Sequence, residues 1–147
     1  MKKFSYRMES VLKYRKFREK RAILKLMEMR KAHDMIEKKI TGLKNEKIEV
    51  AERCRSESFQ GIDAPLYKTY TSYLGSLSAG IKNAAAELED KRIALKQQEA
   101  VLKSETIKKK ALETHRKSLF DAHTVKVGKE EQKLLDEMII IRQEMNV

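Results

Sequence analysis

The chain has 147 residues and a formal net charge of +11, and 37% of its residues are charged, while it has five Gly, one Pro and no Trp. This length predicts one domain over residues 1–147, and the composition excludes an ordinary globular core and favours long helices or coiled coil. No run approaches the roughly 18 apolar residues of a membrane span, no secretory signal follows Met1, and Cys54 is the only cysteine, so we expect a soluble, intracellular protein.

The first predicted element is a helix over about residues 5–57. Positions spaced alternately by four and three residues form a seam over seven heptads, which is the pattern of a coiled coil. Ten of the fourteen seam positions are apolar, and the full seam is Met8, Leu12, Arg15, Glu19, Ala22, Leu26, Met29, His33, Ile36, Ile40, Leu43, Lys47, Val50 and Cys54. The seam is weakest at Arg15 and Glu19.

The weak part of this seam lies in a strongly basic stretch, LKYRKFREKRAILKL, at residues 12–26. It has seven Lys or Arg and one Glu, and residues 1–31 together have 12 basic and three acidic side chains. These first residues therefore carry +9 of the net charge.

A turn is predicted at residues 58–65, in the only place where Gly, Asp and Pro cluster. Gly61 can end the first helix in a left-handed conformation. Asp63 is a suitable cap for the next helix, and Pro65 suits its first turn, where a missing N–H costs nothing.

The second predicted helix covers about residues 66–145 and repeats the heptad pattern. One series is unbroken through Leu74, Ile81, Leu88, Leu95 and Leu102, while the other becomes polar at Lys91, Gln98, Glu105 and Lys109. A half-polar seam can fix the register of two helices, or it can simply mark a loose association. The sequence leaves both interpretations open.

A short turn between two long amphipathic helices predicts an all-α antiparallel two-helix coiled-coil hairpin with a C-terminal helical extension. Pairing outward from Gly61 places residue 5 opposite roughly residue 117, so residues 118–147 extend beyond the first helix. We expect a kink or fraying at residues 123–131 and helical spacing again at 131–141. The predicted hairpin is rod-like, with both termini and most of the basic charge at one end.

The sequence offers no catalytic, cofactor-binding or metal-binding residues. His33, His115 and His123 lack metal-ligand spacing, and Cys54 lies on the seam as a small apolar residue. The glycines match no phosphate-binding loop, and a two-helix hairpin has no interior substrate pocket. We therefore expect a binding protein and not an enzyme.

Three stretches in the right order resemble the flagellar export protein FliJ family. They are FSYRMESVLKYRKFREKRA at 4–22, GIDAPLYKTYTSYLGSLSAGI at 61–81 and EQKLLDEM at 131–138. The resemblance covers the whole chain and implies an antiparallel coiled coil similar to the gamma-subunit stalk of rotary ATPases. It implies a cytoplasmic component of type III export, associated peripherally with the membrane at the flagellar base.

The resemblance also implies the partners. They are the hexameric export ATPase, whose pore receives the terminal end of the hairpin, the cytoplasmic part of the export gate, and export chaperones that the protein escorts. By analogy, ring binding is assigned to Tyr14, Arg15, Arg18, Arg21, Gln132, Lys133, Asp136 and Glu137. Gate binding is assigned to the exposed residues after the turn, Tyr73, Leu77, Gly80 and Ala84, and to Leu43 and Val50 opposite them; an ordinary coiled-coil seam is the competing interpretation of these six.

Two other classes remain as alternatives. One is a stalk subunit of an injectisome or V-type ATPase, which is mechanistically close. The other is a basic helical hairpin that binds nucleic acid, but its aromatics Phe4, Tyr6, Tyr14 and Phe17 form no recognised stacking platform. Direct membrane insertion is not expected, because the apolar face is occupied by the second helix.

Overall fold

The computed structural model describes residues 3–145 and contains two helices, α1 (Glu9–Gln60) and α2 (Ala64–Met145). They have 52 and 82 residues, and no strand occurs between residues 3 and 145. The helices pack against each other, so the predicted all-α helical hairpin is confirmed. Neither helix contains a stretch, among these residues, that is long and apolar enough to cross a membrane.

The turn between the helices is only three residues long, shorter than the predicted 58–65. Gly61 has a φ of 91°, a left-handed value that suits glycine because it has no Cβ. The backbone oxygen of Asp63 accepts a hydrogen bond from the Tyr67 amide at 3.1 Å, which starts α2. Pro65 lies in the first turn of α2, so the proline begins the helix and does not lengthen the loop.

The first helix begins at Glu9, later than the predicted residue 5. Residues 3–6 have no regular structure, and Tyr6 is buried. The Glu9 amide donates to the Tyr6 oxygen at 3.1 Å, so the start of α1 is held by the segment before it. This segment packs against α2, and that packing takes the place of a further helical turn.

The second helix is continuous through residues 123–131, where the sequence led us to expect a kink or fraying. Gly128 lies within an unbroken helix, and the backbone is helical to Met145. A single glycine costs a helix roughly 1 kcal/mol relative to alanine, which is not enough to end it.

The chain divides into two compact units. The terminal unit is Met1–Arg21 with Lys103–Val147, of which residues 3–21 and 103–145 are described here, and the turn unit is Ala22–Leu102. Since α1 and α2 each run through both units, the single domain over residues 1–147 stays a prediction.

In the turn unit, the buried side chains follow the predicted seam. Ile36 and Ile40 of α1 pack with Ala84 of α2, and Leu88 covers them. The seam glutamine Gln98 is buried and donates from Nε2 to the Ala22 oxygen at 3.2 Å. This hydrogen bond connects the helices and satisfies a polar side chain in an apolar layer.

In the terminal unit, Leu12 is fully buried, but the layers around it are polar. Glu105 is buried, and Glu19 is half-buried beside Lys109. Farther along α2 the packing ends: residues 128–145 are exposed throughout. Residues 128–145 of the predicted extension therefore form a helix that no described residue of this chain covers, while Phe4 contacts Phe120 and His123 near the start of the extension.

Candidate partner-binding surfaces

A buried carboxylate holds two of the predicted ring-binding arginines. Glu105 is 4% exposed, and its Oε1 lies 3.5 Å from Arg18 Nη2 and 3.8 Å from Lys108 Nζ. Its Oε2 lies 3.8 Å from Arg15 Nη1 and accepts no hydrogen bond within the described residues. The attraction to three cations offsets part of the cost of burying this charge.

The predicted ring-binding residue Tyr14 belongs to the same cluster. Arg18 Nη1 donates to Tyr14 Oη at 3.2 Å. The guanidinium carbons of Arg15 and Arg18 lie 5.8 and 5.9 Å from the Tyr14 ring centroid, within range of a cation–π interaction. Arg21, the fourth predicted residue on α1, is exposed.

A second polar layer lies beside this cluster. Lys109 Nζ is 2.9 Å from Glu19 Oε2 and donates to Oε1 at 3.1 Å. The hydrogen bond with Glu19 raises the pKa of Lys109, so the lysine is firmly charged at neutral pH. The weak seam position Glu19 is thus matched by the polar seam position Lys109, which supports a role in register.

The segment before α1 forms the base of a basic, aromatic groove. The Tyr6 hydroxyl lies 2.9 Å from His115 Nδ1 and donates to the Leu112 oxygen at 3.4 Å. The rings of Phe4 and Phe120 meet edge to face, with centroids 5.2 Å apart. We call the depression next to them the basic groove, and its lining is Phe4, Lys16, Glu113, Arg116, Lys117 and Phe120.

The predicted signature on the C-terminal extension is exposed on every member. These residues are Gln132, Lys133, Asp136 and Glu137. They belong to the same unit as Tyr14, Arg15, Arg18 and Arg21, but no hydrogen bond or ion pair within residues 3–145 joins the two sets.

The predicted gate-binding residues lie in the turn unit and differ in exposure from our expectation. Tyr73 is 43% exposed and Gly80 is half-buried, but Leu77 and Ala84 are buried. The prediction that all four are exposed was wrong, because Leu77 and Ala84 occupy seam positions that face α1. On α1, Val50 is buried and Leu43 is half-buried.

Two tyrosines near the turn are hydrogen-bonded to glutamates of α1. The bond between Tyr73 and Glu46 raises the pKa of Tyr73, and a bond with Glu57 raises the pKa of Tyr70. Gly80 lies near α1, where an added Cβ would meet Leu43 Cδ1 at 3.7 Å, an ordinary contact. An added Cβ at Gly75 would meet nothing within 4 Å, so the helix pair itself requires neither glycine.

One group could supply metal ligands on α1. His33, Asp34 and Glu37 have ligand atoms within 4.8 Å of one another, and both carboxylates are exposed. His33 Nδ1 already lies 3.4 Å from Asp34 Oδ1. Three ligands, of which only His33 is half-buried, are fewer than the four that a structural zinc site uses, so this group carries no metal assignment.

A family model described as Flagellar FliJ protein matches residues 4–145. The chain belongs to the FliJ family. This membership makes it a component of the type III export apparatus, and it confirms the resemblance drawn from the three sequence stretches.

A solved structure of a YscO homolog from Chlamydia trachomatis is similar in fold. It is 16% identical in sequence, the match covers 98% of both chains, and the TM-score is 0.54. At this identity the likeness supports the helical hairpin alone. No curated protein matches the chain.

The sequence missed two features that now define the terminal unit. The sequence identified Glu105 only as a polar seam position, yet it pairs with Arg15 and Arg18. An acid opposite two arginines in the predicted register was the available signal. The contact between Phe4 and Phe120 had no local signal, because it joins the segment before α1 to the second half of α2.

Proposed function

We propose that this FliJ-family chain is the stalk-like, non-catalytic component of flagellar export. Its terminal unit enters the pore of the hexameric export ATPase and promotes assembly and activity of the ring. A second surface, in the turn unit, binds the cytoplasmic part of the export gate and so links the two, and export chaperones are further partners. The protein acts in the cytoplasm, peripherally at the membrane, and needs no cofactor.

The observation that carries this proposal is the concentration of positive charge in the terminal unit. That unit has 19 Lys or Arg and 10 Asp or Glu, whereas the turn unit has 14 and 12. A net +9 against +2 favours a negatively charged receptor for the terminal unit, since complementary charge directs encounter and orientation.

The geometry changes which cations are available to that receptor. Arg15 and Arg18 share the charge of Glu105, so part of their field is neutralised within the chain. Lys13, Lys20 and Arg21 are exposed on α1. We therefore assign the first ring contacts to these three, with Arg15, Arg18 and Tyr14 forming the rigid support behind them.

The test is charge reversal at Lys13, Lys20 and Arg21 to Glu, measured as stimulation of the purified ring's ATP hydrolysis. Reversal at Arg15 and Arg18 is less informative, because new acids beside Glu105 would separate the helices. The matched control reverses Lys38, Lys39 and Lys44, three exposed lysines of the turn unit. We expect the first variant to lose stimulation and the control to keep it; equal stimulation by both variants contradicts the ring assignment.

The gate surface is tested separately with tyrosine variants. Tyr73→Ala should weaken capture by the gate's cytoplasmic domain. The control is Tyr67→Ala, because Tyr67 is another exposed tyrosine on the same helix. Leu77→Ala would remove a buried side chain and cost about 2–5 kcal/mol of stability, so it cannot separate binding from folding. Undiminished capture by Tyr73→Ala would contradict this surface.

A further inference from the structure

The end of α2 carries a cluster of large apolar side chains that are exposed to solvent. We call residues 129–145 the C-terminal segment. Its large apolar side chains are between 54% and 81% exposed, and they are Leu134, Leu135, Met138, Ile139, Ile140, Ile141 and Met145. Helices derive most of their stability from packing, and a patch of this kind marks an interaction site.

One face of α2 connects this segment to the basic groove. Positions seven residues apart lie on the same side of a helix, and Phe120, Val127 and Leu134 follow that spacing. A parallel row on the same face contains Lys117, Thr124, Glu131 and Met138. The face is therefore basic and aromatic where it borders the groove and apolar toward Met145.

The charge along α2 changes sign over the same distance. Residues 113–127 contain three Lys or Arg and two acidic residues, a net +1, whereas residues 128–142 contain three Lys or Arg and four acidic residues, a net −1. Two such helices repel when parallel and attract when antiparallel, because the acidic half of each then lies on the basic half of the other.

We propose that two copies of this chain pair through antiparallel α2 helices over residues 113–142, with the C-terminal segment of each copy seated on the basic groove of the other. This arrangement has two-fold symmetry, so one set of contacts serves both copies. It covers the exposed apolar side chains on the face that contains Leu135 and Met138, and it gives the groove an acidic, apolar occupant.

The two-fold axis falls between Val127 and Gly128 when Glu113 is placed opposite Arg142. This register also places Phe120 opposite Leu135. An added Cβ at Gly128 would meet nothing within 4 Å in the single chain, so the space for close approach of a second helix is open there. The pairing thus joins opposite charges at its ends and apolar side chains between them.

The dimer would also limit binding to the ring. This consequence rests on the proposed function, whereas the dimer itself does not. The paired form covers part of the terminal unit. The ring and the second copy would then compete for that unit. The free protein would be a dimer, and binding to the ring would require dissociation of one copy.

The experiment is sedimentation equilibrium of the full chain over a range of concentrations. We expect a monomer–dimer equilibrium for the natural chain, and at least a tenfold weaker one for Leu135→Lys and for Met138→Lys. The matched control is Ile140→Lys: Ile140 is similarly exposed, but it lies two residues from Met138 and so on the opposite side of the helix. It should dimerise like the natural chain.

A charge swap separates pairing from folding. Glu113→Arg and Arg142→Glu should each weaken the dimer, and the double variant should restore it, which a general loss of structure would not do. A natural chain that remains monomeric, or an Ile140→Lys variant as weak as Met138→Lys, overturns the proposal. A dimer that forms without any effect on ATP hydrolysis would instead contradict the proposed ring function and leave the pairing intact.

Discussion

Glu105 shows how one buried side chain organises the predicted ring-binding residues. Its side chain is 6% exposed, while the side chains of Arg15 and Arg18 are 31% and 48% exposed. The arginines would therefore remain partly hydrated if Glu105 were absent. The buried carboxylate of Glu105, by contrast, is shielded from water and depends on the nearby cations. We therefore expect Glu105 to determine the positions of the two arginine side chains and to contribute little to the stability of the fold.

Glu105→Leu should consequently keep or raise the stability of the helix pair. Replacing a buried ion pair with an apolar side chain is often neutral or stabilising by about 1–4 kcal/mol, provided that no charge is left buried. Urea unfolding followed by helical circular dichroism measures the change. Glu105→Gln is the control, because it keeps a polar group in the same place; a leucine variant clearly less stable than the glutamine variant would show that the ion pairs hold the fold.

Tyr73 allows a second residue-scale prediction, based on pH. Its bond with Glu46 raises its pKa above the ordinary value of about 10, so the folded chain holds this proton more tightly than the unfolded one. The bond therefore stabilises fully below the ordinary pKa and is lost as the pH rises through the folded value.

Alkaline titration of the tyrosinate absorbance measures this shift, and subtraction of a Tyr73→Phe titration isolates Tyr73. Glu46→Gln should move the Tyr73 midpoint down toward that of a free tyrosine. An unchanged midpoint would mean that Glu46 does not hold this hydroxyl in solution.

At the scale of the helices, local pattern predicted most of what is buried. Seam positions such as Leu26, Ile40 and Leu77 are buried as the heptads require. The start of α1 could not be predicted in this way, because Tyr6 bonds to residues 106 and 109 positions away in the sequence. Register-dependent contacts such as Glu105 with Arg15 need the pairing of the helices before they can be recognised.

The turn between α1 and α2 leads to a prediction about how two glycines affect the stability of the helix pair. Gly61 has a φ of 91°, so Gly61→Ala places a Cβ in a left-handed conformation and should cost about 1–2 kcal/mol. Gly42 lies inside α1, and a Cβ there meets nothing within 4 Å, so Gly42→Ala should instead stabilise by up to about 1 kcal/mol. Thermal unfolding of the two variants checks the opposite signs, and effects of equal sign would contradict the assigned role of the turn.

For the molecule as a whole, the distribution of charge matters more than its total. The chain has a net +11, of which +9 belongs to the terminal unit. If total charge governed association with the ring, any three lysines would contribute alike. If the terminal unit alone docks, the position of a charge decides its effect on the rate of encounter.

This difference can be measured from the salt dependence of ring association. The screening length falls from about 30 Å at about 0.01 M salt to about 8 Å at about 0.15 M, so the association rate of the natural chain should drop steeply while dissociation changes little. Lys13, Lys20 and Arg21 replaced by Gln should lower the rate at low salt and flatten its salt dependence. Lys38, Lys39 and Lys44 replaced by Gln remove the same charge from the turn unit and should retain the steep dependence. Equal flattening by both variants would assign the attraction to the net charge of the whole chain and remove the electrostatic argument for terminal docking.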